Sequence, residues 1–275
     1  METIGLIGVG LLGSAMADRL TAAGYTVMGY DIVPERQRGA KSSQQVADAC
    51  RTIFLSLPTS DVVRQVISQI QIKRGTVVID TTTGEPNEMA EMGIKLAAQG
   101  VEYLDATVLG SSRVVRNGGA SVMAGGKREV FDAALPLFAT FANHTFYIGS
   151  YGAGARMKLV ANLALGLNRA VLAEALGFAE ACEISPVLAL EVLKSGAAYS
   201  RVMDDKGEKM LHHDFTPEAR LSQHLKDVRL ILAMAAEKHA KTPLSEVHRR
   251  LLEQLEAAGY GNVDNSAIIM AYERR

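Results

Sequence analysis

Over the first half of the chain, short apolar runs rich in β-branched residues alternate with longer stretches whose apolar positions recur every three to four residues. The runs at residues 3–7, 26–30, 52–57 and 77–80 predict buried strands, and those at 102–104, 120–124 and 145–148 predict further ones. The stretches at 11–23, 61–70 and 86–98 predict helices between them, the first closed by Gly24. Strand and helix in alternation imply a mostly parallel sheet covered by helices. The pattern changes near Gly152. From Met157 nearly to Cys182 apolar residues return at helical spacing, among them Val160, Ala164, Val171, Leu172 and Ala179, which predicts one long helix. More helices are predicted at 186–194, 224–239 and 244–257, with no strand after about residue 150. The fold class expected is α/β over residues 1–157, followed by an all-α domain over 158–275.

The chain has 275 residues, 48% of them hydrophobic, enough for two cores. A formal net charge of -1 argues against a nucleic-acid or acidic-membrane surface. Cys50 and Cys182 stand far apart, without metal or redox spacing, and read as two reduced, partly buried thiols of a cytoplasmic protein. No metal site is expected. Residues 3–17 are uncharged, but Glu2 stands where a signal peptide wants basic residues. Asp18 and Arg19 end the run short of the roughly 20 apolar residues that a membrane helix needs.

The glycines of that run carry a better explanation. Gly8-Val9-Gly10-Leu11-Leu12-Gly13 is a GxGxxG between a predicted strand and a predicted helix. In that context Gly8 permits a tight turn, Gly10 lets the backbone approach a pyrophosphate, and Gly13 lets helix pack on strand. The helix N-terminus then offers N–H groups and a partial positive charge to the phosphates. Asp31 ends the second strand, where a carboxylate accepts hydrogen bonds from ribose hydroxyls and repels a 2′-phosphate. This favours NAD, with NADP kept open by Arg36 and Arg38 nearby. The bland reading of Asp31 is a turn aspartate. Leu57-Pro58-Thr59 and Asp80-Thr81-Thr82-Thr83 end the next two strands and either line the same groove or form ordinary turns.

Gly152-Ala153-Gly154 opens the long helix, on which Lys158 and Asn162 share a face. A lysine there can exchange a proton with a hydroxyl if its pKa falls from about 10.4 toward roughly 7–8. By spacing alone it reads more readily as a solvated helix lysine. His212 and His213 have no ligand-spaced partners and read as a solvated pair, and His224 as structural.

Taken together, the motifs resemble the β-hydroxyacid dehydrogenase family, over nearly the whole chain. Gly5-Leu6-Ile7-Gly8-Val9-Gly10-Leu11-Leu12-Gly13-Ser14 resembles its N-terminal signature, and Asp105-Ala106-Thr107-Val108-Leu109-Gly110-Ser111 its DAPVSGG. The segment from Gly152 to Asn162 resembles its GxGxxxKxxxN, and Lys226-Asp227 its late KD pair. The resemblance implies a Rossmann-type domain, a helical domain for substrate and oligomerisation, and an active site between them. It implies Lys158 as general acid/base, Asn162 beside the substrate, and a Gly110 N–H on the substrate carboxylate. Thr83, Leu57 and Pro58 would touch the nicotinamide half of NAD, with Lys226 close by. The reaction implied is exchange of a hydride between NAD and a small 3-hydroxy acid, giving a semialdehyde or the reverse, in a homodimer or homotetramer. The 265–272 stretch resembles the family's last helix.

One departure matters. Leu109 stands where the family has a substrate-contacting serine, and Ser111 replaces its second glycine, followed by Ser112. A site built to hydrogen-bond a hydroxyl discriminates strongly, so moving that hydroxyl changes the preferred substrate. Arg113 and Arg116 either add anion contacts or lie on the surface. The departure keeps a four-carbon sugar acid or a sulfonate analogue open as substrate. A catalytically silent NAD-binding module and an enzyme that reduces a C=N bond would carry the same glycine turn, but both run against Lys158.

Overall fold

The computed structural model describes residues 3–272 and divides into two compact units, Met1–Lys158 and Leu159–Arg275. In the first unit the described residues form a seven-stranded sheet: β1 (Thr3–Ile7), β2 (Thr26–Tyr30), β3 (Thr52–Leu55), β4 (Val77–Asp80), β5 (Glu102–Leu109), β6 (Ala120–Gly126) and β7 (Ala142–Gly149). The order is β2-β1-β3-β4-β5-β6-β7, parallel throughout except for the antiparallel β5–β6 pair. Helices α1 (Leu11–Ala22), α2 (Ser43–Ala49), α3 (Ser60–Gln69), α4 (Pro86–Ala98), α5 (Ser112–Arg116) and α6 (Arg128–Phe138) connect the strands. This is the Rossmann-type, mostly parallel architecture that the alternating pattern implies.

Both faces of the sheet are covered, so the inner strands are apolar on both sides. Ile4, Leu6, Phe54 and Ile79 pack with Phe138 and Phe141 in one core, while Ile7, Ile53, Leu55 and Val78 pack with Val46 and Leu96 in the other. In register, Ile7 lies beside Tyr30 and Leu55, Leu55 beside Asp80, and Asp80 beside Asp105. Four strands therefore end nearly level, and β5 runs on past them to Leu109.

The short run at 102–104 undershoots β5 because Asp105 and Thr107 interrupt its apolar pattern; both are buried nonetheless. The short α2 and α5, and α6, which carries a proline within it, are not among the predicted helices.

A single helix, α7 (Ala153–Ala181), starts in the first unit and continues through the second. Its length and composition would suffice to cross a membrane, but Asn162 and Arg169 on it are buried within the protein, the mark of a core helix. After it come α8 (Pro186–Lys194), α9 (Val202–Leu211), α10 (Leu221–Glu237) and α11 (Pro243–Ala257). The last stretch is not an α-helix but 3-10 turns over Asn265–Ala271, capped by Asp264, whose side chain accepts from the Ser266 N–H at 3.0 Å. Among the described residues after 150 there is no strand in any sheet. Leu172, Leu176, Leu190, Leu225 and Leu252 make the core of this unit.

That core contains a polar layer. His224 on α10 and His248 on α11 face each other with Nε2 atoms 3.0 Å apart, and a Cβ on Gly166 of α7 would lie 2.5 Å from the His224 ring. Arg169, one turn further along α7, is 4% exposed, and its Nε and Nη1 have no hydrogen-bond partner among the described residues. Both oxygens of the buried Asp264 carboxylate are already engaged, by Lys206 Nζ at 2.8 Å and by the Ser266, Glu218 and Ala219 N–H groups.

Candidate functional site

The glycine turn follows β1 and opens α1. Gly8 has φ +94°, donates its N–H to Tyr30 O at 2.9 Å, and would set a Cβ 2.3 Å from Ser56 O. A Cβ on Gly13 would lie 2.1 Å from Gly8 O, so α1 rests on the turn with no room between. Gly10 differs: no described heavy atom comes within 4 Å of the place its Cβ would take. Helices α2 to α5 are capped by side chains of Ser42, Thr59, Glu85 and Ser111. No described side chain caps α1, and its first turn holds no acid. Its leading N–H groups and the positive end of its dipole thus remain available to an anion. Leu11 is exposed there and Leu12 half-buried.

Asp31 does more than end a strand. Its carboxylate accepts the Val9 N–H at 2.7 Å and the Val33 N–H at 2.9 Å, bracing the glycine turn against the end of β2. An ionised carboxylate has about four acceptor positions, so further hydrogen bonds remain open to it. The ends of β3 and β4 adjoin the same turn: Ser56 N–H donates to Ile7 O at 2.9 Å, and Leu57 N–H to the Thr82 hydroxyl at 3.1 Å. Thr83 follows Thr82, half-buried, and Pro58 is exposed. An open, uncapped helix start beside an acid at the end of β2 fits a dinucleotide.

A second constellation lies at the end of β5. Asp105 is fully buried; Oδ1 accepts the Gly152 N–H and Oδ2 the Ala155 N–H, each at 2.8 Å, at the start of α7. The Thr107 hydroxyl lies 3.0 Å from Gly154 O. A Cβ on Gly154 would come 2.2 Å from Asp105 O, so only glycine lets α7 approach the strand this closely. Lys158, 8% exposed, donates from Nζ to Val108 O at 2.7 Å. Burial pushes the Asp105 carboxyl up to about 6, against the pull of its two N–H partners, and burial likewise lifts Asp80 to about 6. The sequence carries a signal for Asp105 only as part of a motif; what it holds is not legible there.

Leu109 and Gly110, half-buried, lead from β5 toward α5, and Gly110 has φ +147°. The Ser111 hydroxyl accepts the Val114 N–H at 3.4 Å as the cap of α5. Ser112 is buried, and Arg116 sits 3.2 Å from Ser14 Oγ and 3.6 Å from Asp18.

In the second unit the buried Asn162 donates from Nδ2 to Asp227 Oδ2 at 2.8 Å, and Lys226 Nζ lies 3.0 Å from Asp227 Oδ1. Asp227, given no role by sequence reasoning beyond its place in the KD pair, is what fixes the Asn162 amide. His212 is exposed beside Glu208, and His213 stacks on Phe215. No group of potential metal ligands occurs among the described residues. The two thiols differ from expectation: Cys50 is buried, but Cys182, just past the end of α7, is exposed.

Comparison with known proteins agrees with this arrangement. Residues 3–149 match the family model for the NAD binding domain of 6-phosphogluconate dehydrogenase. Residues 152–272 match that described as NAD-binding of NADP-dependent 3-hydroxyisobutyrate dehydrogenase. The chain is 30% identical to 2-(hydroxymethyl)glutarate dehydrogenase of Eubacterium barkeri, over 98% of this chain and 95% of that protein. It is 29% identical to 2-hydroxy-3-oxopropionate reductase of Escherichia coli (strain K12), over 98% and 97%. A crystal structure of 3-hydroxyisobutyrate dehydrogenase from Salmonella typhimurium superposes with a TM-score of 0.90 at 25% identity, covering 98% of this chain and 99% of that one. With its Rossmann-type unit, its open glycine turn and its helical second unit, the chain belongs to the β-hydroxyacid dehydrogenase family of NAD(P)-dependent oxidoreductases.

Proposed function

We propose that the chain interconverts a small 3-hydroxy acid and its semialdehyde with NAD, using Lys158 as general acid/base. The observation that carries this is the buried Lys158 amine, held 2.7 Å from Val108 O at the end of β5, next to Leu109-Gly110-Ser111. Bound NAD supplies the hydride acceptor or, reduced, the donor. Lys158 as a neutral amine takes the hydroxyl proton in oxidation and returns it in reduction. The hydrogen bond to Val108 O holds the amine at the end of β5. Asn162 spends one amide N–H on Asp227, and its remaining N–H and carbonyl are assigned to the substrate. The Gly110 N–H is assigned to the substrate carboxylate. Thr83, Leu57, Pro58 and Lys226 are assigned to the nicotinamide half of the cofactor, and the α1 turn from Gly8 to Gly13 to its phosphates.

Leu109 offers no hydroxyl, and Ser111 already caps α5. The missing hydroxyl at Leu109 favours a substrate with an apolar group near this strand end over a four-carbon sugar acid or a sulfonate analogue. The test is NADH formation with purified protein on 3-hydroxyisobutyrate, 3-hydroxypropionate, serine, glycerate, threonate and a sulfonate analogue, with the semialdehydes run in reverse. Turnover of a branched or unsubstituted acid supports the reading, and turnover of threonate or the sulfonate alone selects the sugar-acid or sulfonate substrate instead. Tight NADH binding with no turnover at all would leave a silent binding module.

NAD is the preferred cofactor in this reading, because an acid at the end of β2 accepts from ribose hydroxyls and repels a 2′-phosphate. Asp31→Asn should lower the NAD-to-NADP ratio of kcat/KM by about tenfold or more, a loss on the order of 1.4 kcal/mol of discrimination. An unchanged ratio would leave Asp31 as a turn brace and nothing else.

We also propose a homodimer or homotetramer in the cytoplasm. Val160, Val171 and Phe178 on α7 and Val187, Leu188 and Val192 on α8 are exposed, Phe178 by 70%. Light scattering should give a multiple of the chain mass for the native protein and a smaller species for Phe178→Glu; a native monomer refutes the assembly.

A further inference from the structure

We infer that Asp105 is the positioning residue for Lys158: its ionised carboxylate pins the first turn of α7 to β5 and so sets where the lysine amine stands. The inference rests on the proposed role of Lys158. Two hydrogen bonds of 2.8 Å join separate oxygens of one carboxylate to the N–H groups of Gly152 and Ala155. Ala155 precedes Lys158 by three residues, less than one helical turn. On the strand, Val108, which accepts from Lys158, follows Asp105 by the same three residues. Strand and helix are therefore joined through the Asp105 carboxylate, through the Thr107 hydroxyl on Gly154 O and through the lysine amine itself. The 2.2 Å approach of a Gly154 Cβ to Asp105 O shows that backbone lies against backbone at the Asp105 joint, which leaves little slack there to absorb a shift.

The charge of the carboxylate matters as well as its shape. An anion at a helix N-terminus is favoured by the dipole, and charge-assisted hydrogen bonds are roughly twice as strong as neutral ones. Protonation removes the charge and places a hydrogen on an oxygen that already faces an N–H. The joint that holds the first turn of α7 by its N–H groups then weakens, and the amine moves relative to the strand end. Burial in this place holds the Asp105 carboxyl near 6. The titratable groups that interact with it are Asp80 on β4, which adds to the shift, and Tyr103 on β5; Arg156 and Lys158 are the charged residues that follow on the first turns of α7, and its partner on β6 is Gly125.

Activity and stability should respond to this titration in opposite directions. As pH rises through about 6 the carboxylate ionises and kcat rises. The folded-state pKa lies above the usual 3.8, so the folded chain binds this proton more tightly than the unfolded one. The stabilising contribution is present below about 4 and is lost as pH climbs to about 6. Ordinary acid unfolding would lower both quantities together.

The experiment compares pH profiles of kcat and of KM for NAD in wild type, Asp105→Asn and Lys158→Ala. It also follows the backbone amide resonances of Gly152 and Ala155 in wild type. Asparagine presents one acceptor where two are needed. Expected are a fall in kcat of roughly 10- to 100-fold in Asp105→Asn, the range that a displacement of about 1 Å produces. Also expected are loss of the acid limb near pH 6, an unchanged KM for NAD, and wild-type amides that titrate with the same midpoint as kcat. Wild-type kcat and an intact acid limb in Asp105→Asn would overturn the inference. If that variant does not fold, the wild-type amides decide alone: shifts that stay flat around pH 6 overturn it. Substantial turnover by Lys158→Ala would instead strike the reading of Lys158, and is told apart by that variant.

Discussion

Lys158→Ala is expected to lower kcat by roughly 10²- to 10⁴-fold with whatever hydroxy acid the chain accepts, the contribution usual for a positioned general acid/base. NADH affinity, read from fluorescence titration, should be retained. The glycine turn is held by Tyr30 O, by close packing on Ser56 and by the Asp31 carboxylate. Lys158→Arg should not rescue the rate. A guanidinium can still donate to Val108 O, but it stays protonated and cannot accept the hydroxyl proton. This comparison separates a proton-transfer role from one of charge or packing. A variant lacking the lysine that retains kcat within a few-fold of wild type would remove the proposed mechanism.

Arg169→Met is expected to stabilise the helical unit by roughly 1–4 kcal/mol, the gain seen when buried charges give way to apolar side chains of similar volume. Burial draws the guanidinium down to about 10 even with the opposing attraction of Asp264. Removing it does not orphan Asp264, whose oxygens are shared by Lys206 and three backbone N–H groups. A second signature follows at His248. Burial first, and the nearby Arg169 cation second, hold its pKa at about 4, below the usual 6.5. A histidine depressed in this way contributes stability that is complete above about 6.5 and is lost as pH falls toward 4. With Arg169 gone, one of the two causes is gone and that acid loss should shrink. Thermal melts of both proteins across this range test the pair of effects; a melting temperature that drops on substitution refutes the stabilisation.

The architecture was legible in the sequence because each strand of a doubly covered parallel sheet is a compact apolar run and each covering helix is amphipathic. Pro86–Ala98 and Pro186–Lys194 are found at the residues expected, since a proline at the first helical position marks where each begins. Where polar side chains are buried, the pattern misled. Asp105 and Thr107 hid the second half of β5, because their hydrogen bonds run to residues 47 positions away in the chain. The same separation hid the work of Asp105, and the 65 residues between Asn162 and Asp227 hid theirs. Leu109 and Ser111 were visible as departures from a family pattern, but that the Ser111 hydroxyl caps α5 is a property of the backbone following it. Exposure of Cys182 was likewise beyond reach, since composition places thiols inside by habit while a helix end decides the individual case.

The three glycines of the α1 turn are held in place by different forces, and this has a consequence for how the chain can evolve. Gly8 and Gly13 are fixed by their own backbone neighbours, which would lie 2.3 and 2.1 Å from an added Cβ. Replacing either disturbs the fold whether or not a cofactor is ever bound. Gly10 faces open space, and only a ligand has reason to forbid a side chain there. In a lineage released from catalysis but still required to fold, Gly10 should drift first while Gly8 and Gly13 persist. A saturation library sorted once for soluble expression and once for NADH binding would show that divergence at one position and not at the other two.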